Sequence, residues 1–532
     1  MTPFTGTWEL ARFILRLERL RLPIWILAIT ITVVGVALSY PASFATQSEI
    51  DGRIVMIRDN PAAVALTGPG HGLDTVTTDN FGPMVFNDMG TIFAIVVALM
   101  SIFLVVRHTR AEEESGRSEL TRSTAVGAYA PVASALLVCV SANLILAIAI
   151  GLGLIAFGFG ATGSLAFGAA LAAVGIVFGA ISAVAAQIPQ HAGGASAIAG
   201  VALAVSVGIR GLGDIQESAL SWVSPIGWVQ AIRPYAEEQW WPLVLPAGLT
   251  VMTAVLAFSL SQRRDVGAGL MPTRLGPANA PSWVGTSLGL AMRLQRGSLI
   301  GWTIALLIAG AYIGAMASEA DAVFGEMPVY QEYVIVEGAT LTEGLLATFI
   351  MWVVLVSTGY AVGAVSRIRS EENAGHAEAV LAAAVSRVRY ATSILGAALI
   401  GSVVVIGALG AGLGLVRSAD TGDASEFLSL LVAALAHLPA IWLLMGLVLA
   451  LIGFAPRAIA LVWAMVGYII LVEMFGPLIG LPNWMYEGSP FRHTPHLPAG
   501  DVDLLAMTLL TVVAIALMVV GILGFRRRDL YA

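Results

Sequence analysis

The stretch Arg110-Ala-Glu112-Glu113-Glu114-Ser-Gly116-Arg117-Ser-Glu119 recurs as Arg369-Ser-Glu371-Glu372-Asn-Ala-Gly375-His376-Ala-Glu378. Subtracting 112 from 371 gives an offset of 259 that holds at every matched position, and R-x-E-E-x-x-G-[R/H]-x-E survives in both copies. Each copy is a short charged island between two long apolar runs. An apolar chain that presents one polar hairpin twice is expected to meet the same kind of partner twice.

The rest of the chain is what makes those islands conspicuous. Hydrophobic residues are 58 % of the 532 and charged residues 11 %, with a mean hydropathy of +0.86. Such a balance lies outside the range of soluble domains. All 27 basic residues are Arg. Without lysine the chain can build neither a P-loop, whose lysine reaches the phosphates, nor a lysine Schiff base. Cys139 is the sole cysteine and sits in an apolar run, so intrachain disulfides and cysteine metal sites are excluded. The net charge of −7 gives no footprint for nucleic acid. The first apolar run follows a 22-residue amphipathic segment containing Glu9 and Glu18, which reads as an uncleaved anchor rather than a signal peptide.

About 20 apolar residues cross a bilayer as a helix, and twelve runs qualify. Six are expected near 23–40, 86–106, 132–157, 164–186, 195–213 and 242–261. Six more are expected near 298–316, 343–366, 389–416, 426–453, 457–479 and 503–524. The fourth and fifth are rich in Gly and Ala, which permits close helix approach. With both termini placed in the cytoplasm, 21 arginines fall inside and six outside (53, 58, 210, 233, 417 and 492).

The duplication runs past the hairpins. Arg16-Leu-Glu18-Arg19 before Trp25 recurs as Arg293-Leu-Gln295-Arg296 before Trp302, and Arg263-Arg264-Asp265 recurs as Arg527-Arg528-Asp529. Six spans per half is an even number, so the two halves enter from the same side as parallel repeats. The expected plan is an all-α polytopic protein: a first half at 1–265, a cytoplasmic linker at 266–290 with Pro272, Pro277 and Pro281, and a second half at 291–532. Each half carries an amphipathic surface helix, six spans, a charged hairpin after its second span, and an Arg-Arg-Asp stop.

On a continuous helix Glu112, Gly116 and Glu119 share one face, as do Glu371, Gly375 and Glu378, while Glu113 and Arg117 make an i,i+4 pair. Glycine inside a helix costs about 1 kcal/mol relative to alanine. Its recurrence in both copies predicts close approach of another surface between carboxylates.

The paired hairpins, the Ser224-Pro-Ile-Gly-Trp228…Arg233-Pro-Tyr235…Trp240-Trp241-Pro242 stretch and Leu294-Gln295-Arg296-Gly297 resemble permease subunits of actinobacterial ABC exporters of polyketide antibiotics and other drugs, with a type V-like architecture. The resemblance covers essentially the whole chain. It implies that each hairpin is a coupling helix seated on a separate ATP-hydrolysing subunit, through Glu112, Glu113, Gly116, Arg117 and Glu119 and through Glu371, Glu372, Gly375, His376 and Glu378. It further implies two ATPase copies per permease, ATP and Mg bound by those copies rather than by this chain, a lipophilic cargo moved outward, and residence in the bacterial plasma membrane.

Charges within the spans are few, and each is a candidate for the cargo path or gate. Asp88 and Glu343 lie at outer edges and Glu473 is the deepest. Trp228, with Trp484 and Tyr486 of the other half, could form an external lid, although aromatics at this density also suit the membrane interface. Asn143 is expected to bond between helices, and Gln187 and His191 to be solvated in a turn. Two other classes fit less well. An ion-coupled secondary transporter of 6+6 design would need more buried titratable groups. A membrane enzyme would need clustered acids or histidines, whereas Glu319, Asp321, Glu326, Glu332 and Glu337 are scattered along one loop.

Overall fold

A computed structural model describes residues 2–59, 61–117, 119, 125–265, 267–271, 279, 281–317, 339–383, 385–475 and 482–528. Twelve helices among them are long and apolar enough to cross a membrane, six in each half. In the first half they are Arg21–Ser43, Gly82–Glu114, Ala130–Ala156, Ala161–Ala185, Ala192–Ile215 and Trp241–Ser261. In the second they are Ser287–Ala317, Thr342–Asn373, Arg387–Thr421, Ser425–Phe454, Pro456–Met474 and Leu504–Arg527. No strand occurs among the described residues; an isolated bridge joins Thr77 and Asn80. The chain divides into two compact units, Met1–Gly276 and Pro277–Ala532.

In the first unit, spans two and four form the buried centre. Span four explains its glycines: a Cβ at Gly168 would stand 2.3 Å from the Ala147 carbonyl, and one at Gly179 would stand 2.5 Å from the Cys139 sulfur. Gly168 and Gly179 therefore lie on a seam where span three lies against backbone, as small residues permit where no hydrophobic drive holds helices together. Asn143 of span three crosses to Ser101 of span two at 2.9 Å, the interhelical bond expected of it. The second unit repeats the device between spans seven and nine, where Gly310 and Gly412 each face a carbonyl of the other helix.

The two halves start differently. In the first, a surface helix, Thr7–Leu17, stops before span one begins at Arg21, and the break falls on the buried Glu18. In the second, a short 3₁₀ turn at Ser282–Gly285 leads into one uninterrupted helix of 31 residues, and among the described residues no separate surface helix precedes span seven. Residues 267–271, expected as linker, belong to the first half: the backbone N–H of Leu270 donates to Gln187 and that of Met271 to Ile188. Arg210, counted among the outside arginines, is buried within span five, where it donates to Asp214 at 3.2 Å and to the Leu66 carbonyl. The acids from Glu319 to Glu337 lie outside the described residues.

Candidate functional site

Both hairpins grow from the end of a span, and glycine ends the helix in each. Gly116 has φ +73° and Gly375 has φ +74°. The expectation of glycine inside a continuous helix is therefore corrected. These residues adopt the left-handed conformation that glycine accepts at a helix C-terminus. Among the described residues nothing lies within 4 Å of a Cβ built on either one, so a backbone angle and not a close neighbour requires glycine there. The shared face of Glu112, Gly116 and Glu119, and its counterpart in the second half, disappear with the helix.

The break sorts the acids into two kinds. Glu113 turns inward. Arg264, from the Arg-Arg-Asp stop, grips its carboxylate through both terminal nitrogens at 2.7 and 2.8 Å, and Arg110 adds a third bond at 2.6 Å. Arg110 is fully buried and also donates to the carbonyls of Pro189 and Ala268, while Arg264 donates to the side-chain oxygen of Gln187. Gln187 is thus buried rather than solvated. A planar guanidinium matches a carboxylate with two parallel bonds, which fixes geometry as well as charge. Glu114 braces the same end of the bundle by accepting from the Ala192 backbone N–H at 2.8 Å, beside His191 at 3.3 Å.

The second hairpin keeps the design. Glu372 turns inward to Arg369 at 3.0 Å and to Arg528, the repeat of Arg264. Glu371 accepts from Arg367 at 3.1 Å and meets His376 at 3.0 Å. In the first half the matching pair is Glu112 with Arg117 at 3.8 Å, in place of the expected Glu113–Arg117 pair. Gly116, Arg117 and Glu119 are exposed, and so are Gly375, His376 and Glu378. Each hairpin is therefore rooted by an inner carboxylate and shows water a polar tip.

A further tie in the first half was not anticipated. Glu18, 2 % exposed, accepts from Arg107 at 2.9 Å and lies 2.9 Å from His108. Burial pushes its pKa up, but the hydrogen bonds of His108 and Arg107 and their charges outweigh burial and hold it at about 2. The tie links the surface helix to the hairpin.

The candidates at the opposite ends of the bundles separate. Asp88 is buried and held by Tyr40 at 2.7 Å and Arg53 at 3.1 Å. Glu343 closes a capping box with Thr340, a structural use of the carboxylate. Glu473 is buried in a π-turn, Leu471–Phe475, with one carboxylate oxygen unpartnered among the described residues. Trp228 donates to the Trp222 carbonyl, and Trp222 stacks on Trp241 at 5.3 Å in an exposed pair. Tyr235, from the same aromatic stretch, is pinned against Gly82 and Gly163 and meets Ser164 at 2.9 Å. Trp484 is 69 % exposed on a short helix, Asn483–Glu487, that also carries Tyr486.

Twelve membrane-length helices among the described residues, in two halves that each carry a rooted charged hairpin, define a multi-pass membrane protein. The chain belongs to the family described as “Multidrug efflux system permease Rv1217c, C-terminal domain”, which it matches over residues 11–260 and 284–526. It is 37 % identical over 530 residues to “Multidrug efflux system permease protein Rv1217c” of Mycobacterium tuberculosis, covering 99 % of this chain and 95 % of that protein.

Proposed function

We propose that this chain is the membrane permease of an ATP-driven exporter that moves lipophilic compounds out of the cell. In this reading it lies in the plasma membrane with both termini in the cytoplasm. A separate P-loop ATPase docks on each hairpin, giving two copies per permease. ATP and Mg stay with those subunits, since a chain without lysine holds no P-loop of its own. The name of the Mycobacterium tuberculosis relative supports a multidrug cargo.

One observation carries the proposal: both hairpins are rooted by an inner glutamate on the arginine that follows the last span of their half, Glu113 on Arg264 and Glu372 on Arg528. A push on the exposed tip then passes through short charge-assisted bonds into the bundle. In the first half the contact points are the span-six terminus and, through Arg110, the turn after span four. Arg117 and Glu119 offer the ATPase both signs of charge at the first hairpin, and Glu378 offers a carboxylate beside the His376 imidazole at the second, which suits register and steering.

The test is co-purification of a separate P-loop ATPase with this chain. Native mass spectrometry should give one permease with two ATPases. Glu119→Arg with Glu378→Arg should weaken that association by about tenfold or more while leaving the permease folded. Cargo movement by the chain alone in vesicles, driven by a proton gradient without ATP, would overturn the proposal.

A further inference from the structure

Glu18 and Gln295 hold equivalent places in the two repeats, since 295 minus 18 gives the offset of 277 shared by their neighbours. The halves use the position differently. Around Glu18 the space is filled by Arg107 and His108, and the crevice beside that hairpin is about 60 Å³. In the second half Ser366 stands where the repeat places Arg107, because 366 minus 259 is 107. Arg367, the match of His108, turns to Glu371. Gln295 is 4 % exposed, and among the described residues neither its amide nitrogen nor its amide oxygen has a partner. Beside it lies a cavity of about 230 Å³.

The lining leaves little freedom for what could enter. Leu290, Leu294, Val380 and Ile394 supply apolar walls. Arg367 and Glu371 spend their charges on each other, Glu371 also holds His376, and Ser287 and Ser393 bond to one another at 2.8 Å. Of the fully buried polar atoms in the lining, only the amide nitrogen and amide oxygen of Gln295 lack a partner among the described residues, one donor beside one acceptor. Burying such a group unpaired is costly, and a ligand that pairs both atoms recovers that cost. A charged ligand would have to compete with the Arg367–Glu371 pair for its counter-ion. Apolar walls with a few convergent polar atoms are the usual make-up of a small-molecule site. Leu294 is 42 % exposed, so the apolar wall continues to the outside of the helix and can carry a tail longer than the cavity.

We propose that this cavity binds an uncharged amphiphile that presents a carboxamide or lactam to Gln295 and lays its apolar body along Leu290, Leu294 and Ile394. The site needs no ATPase, so its test is separate from that of the transport reading.

Octanamide is the probe, titrated by saturation-transfer NMR into the full-length chain in lipid nanodiscs, with empty nanodiscs subtracted. Binding should be saturable. Octanoate and octylamine, with the same tail and a charged head, should bind about tenfold more weakly or worse. Gln295→Leu and the near-isosteric Gln295→Met should each lose about tenfold or more in octanamide affinity, with thermal unfolding confirming that the variants fold. Glu18→Gln should leave octanamide binding unchanged. Absence of saturable binding, equal binding of octanoate, or octanamide affinity that survives both Gln295 variants would overturn the site.

Discussion

In the first half Arg264 grips Glu113 through two nitrogens with Arg110 as a third donor, whereas in the second Arg528 reaches Glu372 through one. The remaining nitrogens of Arg528 are buried without hydrogen-bond partners among the described residues, and its guanidinium lies over the Phe525 ring at 5.5 Å. Glu18 ties the surface helix to the first hairpin, while Gln295 ties nothing to the second. Duplication preserved the position of the clamp and relaxed its chemistry in one copy. The first hairpin is therefore the stiffer root and the second the one with room for a ligand.

Deleting the inner carboxylate should expose the largest difference. Glu113→Ala strands Arg110 and Arg264, whose side chains are 0 % and 6 % exposed, and should cost about 3–5 kcal/mol. Glu372→Ala strands Arg528, but Arg369 is 25 % exposed and can turn to water, so about 2 kcal/mol is expected. Denaturant unfolding of both variants in one detergent measures the gap. Equal losses would break the comparison.

The next effect depends on pH. Glu18 sits at about 2 against an ordinary 4.5, so its depressed pKa stabilises the fold fully above pH 4.5 and progressively less as pH falls towards 2. The contribution is on the order of 3 kcal/mol. In unfolding scans between pH 5 and 2, stability should fall less steeply in Glu18→Gln than in the parent chain. Gln295 does not titrate, so Gln295→Leu should leave the steepness unchanged. A profile identical in Glu18→Gln and the parent would remove the tie.

The smallest effect should be alike in both halves. Gly116→Ala and Gly375→Ala force a side chain into positive φ with open space around it, costing about 1 kcal/mol each. Asparagine, which tolerates that region better, should cost less at either site. Unfolding midpoints decide. A much larger loss at one glycine would mean that its surroundings do more than set a backbone angle.

Hydropathy made the twelve spans legible, because crossing a bilayer is a demand on each segment by itself. The repeat was legible from matched motifs, and so was the placing of the hairpins after spans two and eight. The sorting of Glu112 from Glu113 was not, because a helical wheel assumes a helix that Gly116 ends. Gln187 read as a solvated turn residue for a similar reason: its burial comes from Arg264, 77 residues away. The Arg-Arg-Asp stops did carry a signal. They recur with the hairpins, and a shared recurrence could have suggested a shared contact.

What the amino-acid order determined alone is local: apolar length, charge placement, a glycine where the chain must turn, and the lack of any lysine. What only the tertiary structure decided is which charges meet. Glu113 and Arg264 are 151 residues apart, and Glu372 and Arg528 are 156 apart. Their pairing exists because six packed helices return the end of each half to its hairpin. The same packing buries Glu18 among cations and Gln295 beside a cavity, and no pattern along the chain distinguishes those two environments.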